Sequence, residues 1–378
     1  MAAAEQVALA HDYATQRGGA ERVALMMAQG FPDAPMYTAL YRPEGTFAEF
    51  ASLDLRTSPI NRVRLLRDHH RLALPLLAPA VSATRIDASV LLVSSTGWAH
   101  GYRTSGRKVV YCHAPARWLY QTERYLGSSH EGSFGACSRR WMAARSLGVL
   151  APALRAWDQR AALSADRYVV NSAVTARAVH QVYGIEAEIL PPPPALTPDG
   201  PVAAVVDVEP GFLLCVARLL PYKNVDVVID AVRQLPGVRL VVVGDGPDRP
   251  RLEALARHEP RVRLLGRVGD PELRWLYGAC AALIGASYED YGLSPLEAAS
   301  FGRPSVVLRD GGYLDTVVEG RTGEFFDTPE ADDVVPAVER TLTRAWDHGA
   351  LSSHARGFGL PRFVGRLQAI VGEELRRS

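Results

Sequence analysis

The constraint that weighs most on this chain is a repeated alternation of short continuous apolar runs with amphipathic stretches. It is broken once by four consecutive prolines and then begins again. Val7–Ala10, Ser89–Ser94 (SVLLVS), Lys108–Cys112 (KVVYC) and Arg167–Asn171 (RYVVN) are runs of four to six residues with no polar alternation. Such runs fit strands covered on both faces, as in parallel sheets. Helices are expected near Gly19 and after Ser172. Pro191–Pro194 cannot continue a helix or a central strand, so a linker is expected there. Beyond it strands are expected at Phe212–Ala217, Arg239–Val243, Val262–Leu265, Ala281–Ala286, Ser305–Leu308 and Gly323–Phe326. Helices are expected between them at Val225–Gln234, Arg249–Arg257, Pro271–Tyr277 and Ser294–Phe301, with Asp332–Ala345 following the last strand.

This βαβ repetition predicts an α/β protein of two doubly wound parallel sheets. A chain of 378 residues also exceeds what one core normally fills. The expected domains are residues 1–190 and 191–357. A final amphipathic helix over 358–378 is placed to cross back to the first domain. Ligands of such sheets bind outside the strand C-termini, so two domains of this kind are expected to face a cleft.

Charge supports the division. Residues 1–190 hold 21 Lys+Arg against 15 Asp+Glu, and residues 191–378 hold 21 against 26, within a net charge of +1. A near-neutral whole gives no reason to expect a nucleic-acid partner. The four cysteines, Cys112, Cys137, Cys215 and Cys280, have neither zinc nor redox spacing. They fit free thiols in a reducing compartment. There is no leader-like N-terminus and no apolar run of about 18 residues, so a cytoplasmic protein is expected. Residues 59–81 and 139–160 are rich in Arg and Leu. They are read as helices with basic faces, solvated or applied to an anionic acceptor or the inner face of a membrane.

Two segments carry the chemistry. In Glu289-Asp290-Tyr291-Gly292-Leu293-Ser294-Pro295-Leu296-Glu297 a strand end meets a helix start. Gly292 permits close backbone approach, Ser294 is the expected N-cap, and the helix N-terminus suits a phosphate. Arg218-Leu219-Leu220-Pro221-Tyr222-Lys223 follows another strand of the same sheet. Two cations at one sheet edge suit a diphosphate whose charge grows as it leaves. Gly18 and Gly19 precede the first helix, and His113 directly follows a strand; each alone is as readily structural. Gly244-Asp245-Gly246-Pro247 lacks the third glycine of a dinucleotide loop, so nicotinamide binding is not expected. No Asp-x-Asp occurs, so a donor-bound divalent metal lacks its usual carboxylates.

Together, HDYATQRGGAERV, YCHAPARWLY, ARLLPYKNVDVVIDA, VVVGDGPDRPRLEALA and YEDYGLSPLEAASFGRPSVV with GGYLDTVVEGRTGEFF resemble glycosyltransferase family 4, retaining enzymes of the GT-B architecture. The resemblance covers nearly the whole chain. Its wording is most similar to the branch that uses GDP-mannose. It implies a hexosyltransferase whose substrate is a nucleoside-diphosphate sugar, with no cofactor and no metal. The acceptor would be a saccharide, a lipid-linked sugar or a small natural product. Arg218 and Lys223 would hold the diphosphate. Glu289 would meet the donor sugar and Glu297 the ribose, and Gly292 and Leu293 would offer backbone N–H groups beside Tyr291. Val268 and Asp270 fall where the family binds the base. Gly18, Gly19 and His113 would face the sugar from the first domain. An epimerase of similar architecture would need a further acid–base set. A nonenzymatic sugar-nucleotide-binding subunit would not need these four charged residues intact.

Overall fold

The computed structural model describes residues 5–68, 70–121 and 151–378. The chain divides into two compact units, one of residues up to 191 together with 361–378, the other of residues 192–360.

Unit 1 is built on strands β1 (Glu5–His11), β2 (Met36–Thr38), β3 (Leu55–Thr57), β5 (Ala88–Ser95), β7 (Arg107–Cys112), β8 (Arg167–Val170) and β9 (Glu188–Ile189). All pair in parallel, in the order β3-β2-β1-β5-β7-β8-β9. Two-residue strands β4 (Arg85–Ile86) and β6 (Arg103–Thr104) form a separate ladder. The central strands are apolar throughout because both faces are covered. Leu91, Val93, Val110 and Val170 belong to one core, and Leu92, Val109 and Val169 are equally buried. The helix Ala173–Tyr183 begins at Ser172, whose hydroxyl accepts from the Thr175 N–H.

The last helix, Leu360–Leu375, packs on unit 1. Phe363 meets Tyr111 edge-on, with ring centroids 5.6 Å apart. Buried Glu374 accepts from Arg107 at 2.8 Å, and Glu373 pairs with Arg167 at 2.5 Å. A Cβ on Gly30 would stand 2.9 Å from Val364, so this glycine sets how closely the helix lies. In the Arg/Leu-rich segment 59–81 the structure has a 3-10 turn at Pro59–Arg62 and helices at Arg64–Asp68 and His70–Ala83. Of the second such segment, 139–150 lies outside the described residues; 151–163 is helical. No helix among the described residues is long and apolar enough to cross a membrane.

Unit 2 holds strands β10 (Leu213–Val216), β11 (Leu240–Val243), β12 (Val262–Gly266), β13 (Ala282–Gly285), β14 (Ser305–Leu308) and β15 (Gly323–Phe326). Again all are parallel, in the order β12-β11-β10-β13-β14-β15. One core covers one face with the helices Val225–Gln234 and Ala331–Thr343; the other face packs on Asp270–Ala279. In both sheets the winding reverses once, between β1 and β5 and between β10 and β13. Crevices for ligands form at such reversals, beyond the strand C-termini.

Candidate active site

Both charged motifs of the sequence lie at the unit 2 reversal. Arg218 sits just past β10 on a loop held by its neighbour strand. Ala217 N–H donates to Val243 O at 3.0 Å, and Leu219 N–H to Asp245 O at 3.1 Å. Asp248 N–H returns to Leu219 O at 3.1 Å. The Gly-Asp-Gly-Pro segment is therefore the clamp of the Arg218 loop. A Cβ at Gly244 would fall 1.9 Å from Ala217 O, and one at Gly246 2.1 Å from Leu219 O. Glycine is needed there for backbone contact. The Arg218 side chain is exposed, and no ion pair of it forms among the described residues.

Pro221–Lys223 is a 3-10 turn ending at Asn224, which has φ 52° and donates from Nδ2 to Ala286 O at 2.8 Å. That bond ties the β10 connection to the end of β13. It brings the Lys223 ammonium into an ion pair with Glu289, whose Oε1 also accepts from Ser287 Oγ at 2.7 Å. Lys223 is only 10% exposed and Glu289 25%. Glu289 does not end the strand as expected; it stands in the loop past β13.

That loop rests on Gly311-Gly312-Tyr313. Gly312 N–H donates to Glu289 O at 2.7 Å. Cβ atoms at Gly311 and Gly312 would each lie 2.3 Å from the loop backbone. Gly292, not Ser294, is the N-cap of Leu293–Ser300; its φ of 75° is left-handed, and as a glycine it brings no side chain of its own to the cap. Ser294 lies inside the first turn because the positive φ already turns the chain at Gly292. The N–H groups of this turn and its dipole are of the kind that suits an anion.

Glu297 is buried one turn further on, and Tyr277 Oη donates to its Oε2 at 2.6 Å. Burial, then the Glu297 carboxylate, push the Tyr277 hydroxyl well above its usual range. It therefore stays a donor and holds one carboxylate oxygen in place. The Tyr291 ring is buried, and its hydroxyl donates to Pro192 O at 2.9 Å. Val268 is half-buried against the core, while Asp270 is exposed at the first position of the helix after β12.

The unit 1 reversal is built differently. Buried Asp12 follows β1 and accepts from the N–H groups of Thr96, Trp98 (3.0 Å) and Ala99, and from Thr96 Oγ1 at 2.6 Å. The nest of amides beyond β5 thus encloses the chain's own carboxylate. Gly18, the N-cap of Gly19–Gly30, leaves room for buried Glu21; a Cβ there would be 2.6 Å from its Oε2. Gly19 is exposed.

His113 follows β7, and its carbonyl accepts from Asn171 Nδ2 at 3.0 Å. Its Nε2 lies 2.9 Å from Ser94 Oγ, and Ser94 Oγ lies 3.0 Å from His11 Nδ1. Burial lowers both rings; with the charges of His11 and Arg117 it brings His113 down to about 3. His113 is thus neutral at ordinary pH and suited to hydrogen bonding rather than proton transfer. Cys112, Cys215 and Cys280 are free and buried, and burial raises each thiol; Cys137 lies outside the described residues. His11, Asp12, Ser94 and Tyr277 were not singled out by sequence; the position of His11-Asp12 at a strand end was the available signal.

Two parallel doubly wound units of this order define the GT-B fold. Solved structures agree with it along the whole chain. Sucrose-phosphate synthase from Thermosynechococcus elongatus covers 99% of this chain and 100% of its own at TM-score 0.72 and 17% identity. Anabaena HepE in complex with UDP-glucose does so for 99% and 100% at TM-score 0.65 and 17% identity. Residues 203–356 match the family described as "Glycosyl transferases group 1". The D-inositol 3-phosphate glycosyltransferase of Mycobacteroides abscessus is 31% identical over 229 residues, which span 55% of this chain and 52% of that protein. A glycogen synthase of Mycobacterium tuberculosis is 36% identical over 122 residues, 30% of each chain. The chain thus spans about half, or less, of the length of these curated relatives.

Proposed function

We propose that the protein is a retaining, metal-independent glycosyltransferase. It moves a hexosyl group, mannose from GDP-mannose first among candidates, to a saccharide, lipid-linked or natural-product acceptor. The observation that carries this reading is the unit 2 reversal. There Lys223, Glu289 and a glycine-capped helix N-terminus share one strand edge with exposed Arg218. The group 1 match over 203–356 supports it, as do the names of the relatives. The preference for GDP-mannose rests on the wording of ARLLPYKNVDVVIDA and GGYLDTVV alone.

In this reading the diphosphate lies against the first turn after Gly292, with Arg218 and Lys223 neutralising the charge that grows as it departs. The bond from C1 to the phosphate oxygen breaks while C1 bonds to the acceptor oxygen on the same face. The acceptor's proton passes to the leaving phosphate oxygen, so the protein's work is positioning and charge stabilisation. Glu289 contacts the reacting sugar, and Glu297, steadied by Tyr277, contacts the ribose. Val268 and Asp270 border the base, and Gly18, Gly19 and His113 contact the sugar. Exposed Val63, Leu65 and Leu76, among Arg62, Arg64 and Arg67, support a peripheral contact with an anionic membrane surface.

The test is steady-state kinetics with varied donor, run in EDTA. Glu289→Gln is expected to lower kcat most, because its contact strengthens as charge develops at the sugar. Glu297→Gln is expected chiefly to raise the donor KM, because the ribose contact changes little on the way to the transition state. The reversed pattern would exchange the two roles. Activity that vanishes in EDTA and returns with magnesium or manganese would end the metal-independent reading.

A further inference from the structure

Three side chains at the C-terminal ends of β1, β5 and β7 form a continuous polar chain. His11 and Ser94 are register partners in the β1–β5 ladder, and His113 N–H donates to Ser95 O at 2.9 Å. Ser94 Oγ stands 3.0 Å from His11 Nδ1 and 2.9 Å from His113 Nε2. All three residues are buried, and His11 stacks on Phe50. The other ring nitrogen of His11, Nε2, is buried with no hydrogen-bond partner among the described residues.

A serine hydroxyl has one hydrogen, and a neutral imidazole carries one N–H. Both rings could donate to Ser94, but its buried hydroxyl hydrogen would then meet no acceptor among the described residues, so two arrangements remain that fill both short contacts. In one, His11 Nδ1–H donates to Ser94, whose hydroxyl donates to His113 Nε2. In the other every bond is reversed, and the single N–H of His11 falls on Nε2, where it meets no acceptor. Buried N–H groups without a partner are rarer than acceptors with a spare lone pair, so the first arrangement is favoured. It leaves the ring proton of His113 on Nδ1. The edge-on packing of Tyr111 against His113, with centroids 5.2 Å apart, restricts the ring from turning over. Burial keeps both rings neutral, so neither is a double donor.

We infer that Ser94 and His11 are positioning residues that fix the tautomer of His113, so that its Nδ1–H is a permanent donor to a substrate hydroxyl. That the acceptor belongs to a sugar rests on the proposed function; the tautomer does not.

The experiment is two-bond proton–nitrogen NMR on the whole chain carrying histidine labelled with nitrogen-15 in the ring. His11→Asn and His113→Asn identify the two spin systems. At pH 7 and pH 5 His113 is expected as a neutral ring protonated at Nδ1 only. Ser94→Ala is expected to release it into a mixture of tautomers, and Ser94→Thr, which keeps the hydroxyl, to restore the single form. A wild-type His113 protonated at Nε2 or doubly protonated at pH 7 overturns the inference. So does a pure Nδ1–H form surviving in folded Ser94→Ala. Donor turnover is read on the same samples. Ser94→Ala is expected to lose about ten- to a hundredfold in kcat through misplacement of the donor group, and Ser94→Thr to regain most of it. Spectra as expected with turnover unchanged would uphold the fixed tautomer but remove its role toward the sugar, and with it the place of His113 in the proposed function.

Discussion

Each unit winds a parallel sheet that reverses once, and the two reversals are furnished in opposite ways. In unit 1 the amides past β5 are already occupied by Asp12, and the nearby rings of His11 and His113 are buried and neutral. In unit 2 the corresponding place holds Lys223 paired with Glu289, exposed Arg218, and a helix start whose N-cap is a glycine. A doubly wound sheet offers an anion site at its reversal as a matter of geometry. Whether that site takes a ligand depends on whether the chain has filled it. Unit 1 has closed its own with a carboxylate, and unit 2 has left cations around its own.

The sharpest way to break this contrast is Lys223→Ala. Loss of one charge-stabilising group is expected to cut turnover about 10²–10³-fold. The Lys223–Glu289 pair is largely shielded from solvent, so removing the ammonium leaves a part-buried carboxylate without its cation, and a lowered melting temperature is expected alongside. Turnover within a few-fold of wild type would mean that the diphosphate is held elsewhere. Asp12→Asn probes the opposite unit. It replaces a carboxylate by an amide that turns an N–H toward other N–H groups. Charge-assisted bonds of this kind are worth about 1.5–3 kcal/mol each, so a loss of about that size is expected in denaturant unfolding of unit 1. Unchanged stability together with lost nucleotide binding would show that Asp12 serves the ligand, and the contrast would fail.

The smallest expected effect concerns Lys108, the only lysine besides Lys223. Its ammonium donates to His100 O at 3.0 Å and Ser164 Oγ at 2.8 Å. Burial, opposed by Asp166, lowers it from 10.5 to about 8. Between pH 8 and 10.5 the unfolded chain keeps this proton and the folded chain does not, so the lysine's contribution makes stability rise with pH across that window. The slope for one proton is at most about 1.4 kcal/mol per pH unit. Lys108→Met should flatten the rise in a series of denaturant melts, while turnover stays near that of wild type. Equal, severe activity losses in the Lys108 and Lys223 variants would erase the distinction between a buried tie and a ligand group.

The same asymmetry decided what could be read from sequence. The strands of unit 2 are runs such as Leu240–Val243, buried on both faces, and they announce themselves. In unit 1, Met36–Thr38, Leu55–Thr57 and Glu188–Ile189 were missed because two or three mixed residues carry no period. Arg218, Lys223, Glu289 and Glu297 could be singled out because cations and carboxylates gathered beside strand ends and a helix start are candidates for holding an anion and its sugar, although a lone carboxylate there can equally be a cap. The partners that hold such groups could not be singled out. Ser94 meets His11 across 83 residues, and Tyr277 meets Glu297 across 20. Strand register creates the first contact, and the packing of the helices Asp270–Ala279 and Leu293–Ser300 creates the second. Gly244 and Gly246 looked like an incomplete nucleotide loop, and their actual use, backbone against backbone beside Arg218, leaves no mark of its own.

The central claim is that unit 2 alone binds the diphosphate. Amide hydrogen exchange of the whole chain, with and without saturating GDP and then UDP, tests it directly. The account predicts added protection at 217–224 and 286–297 with the tighter of the two nucleotides, and none at 11–19 or 94–99. Protection confined to 11–19 and 94–99, or none at 217–224 and 286–297 with either nucleotide, would contradict it.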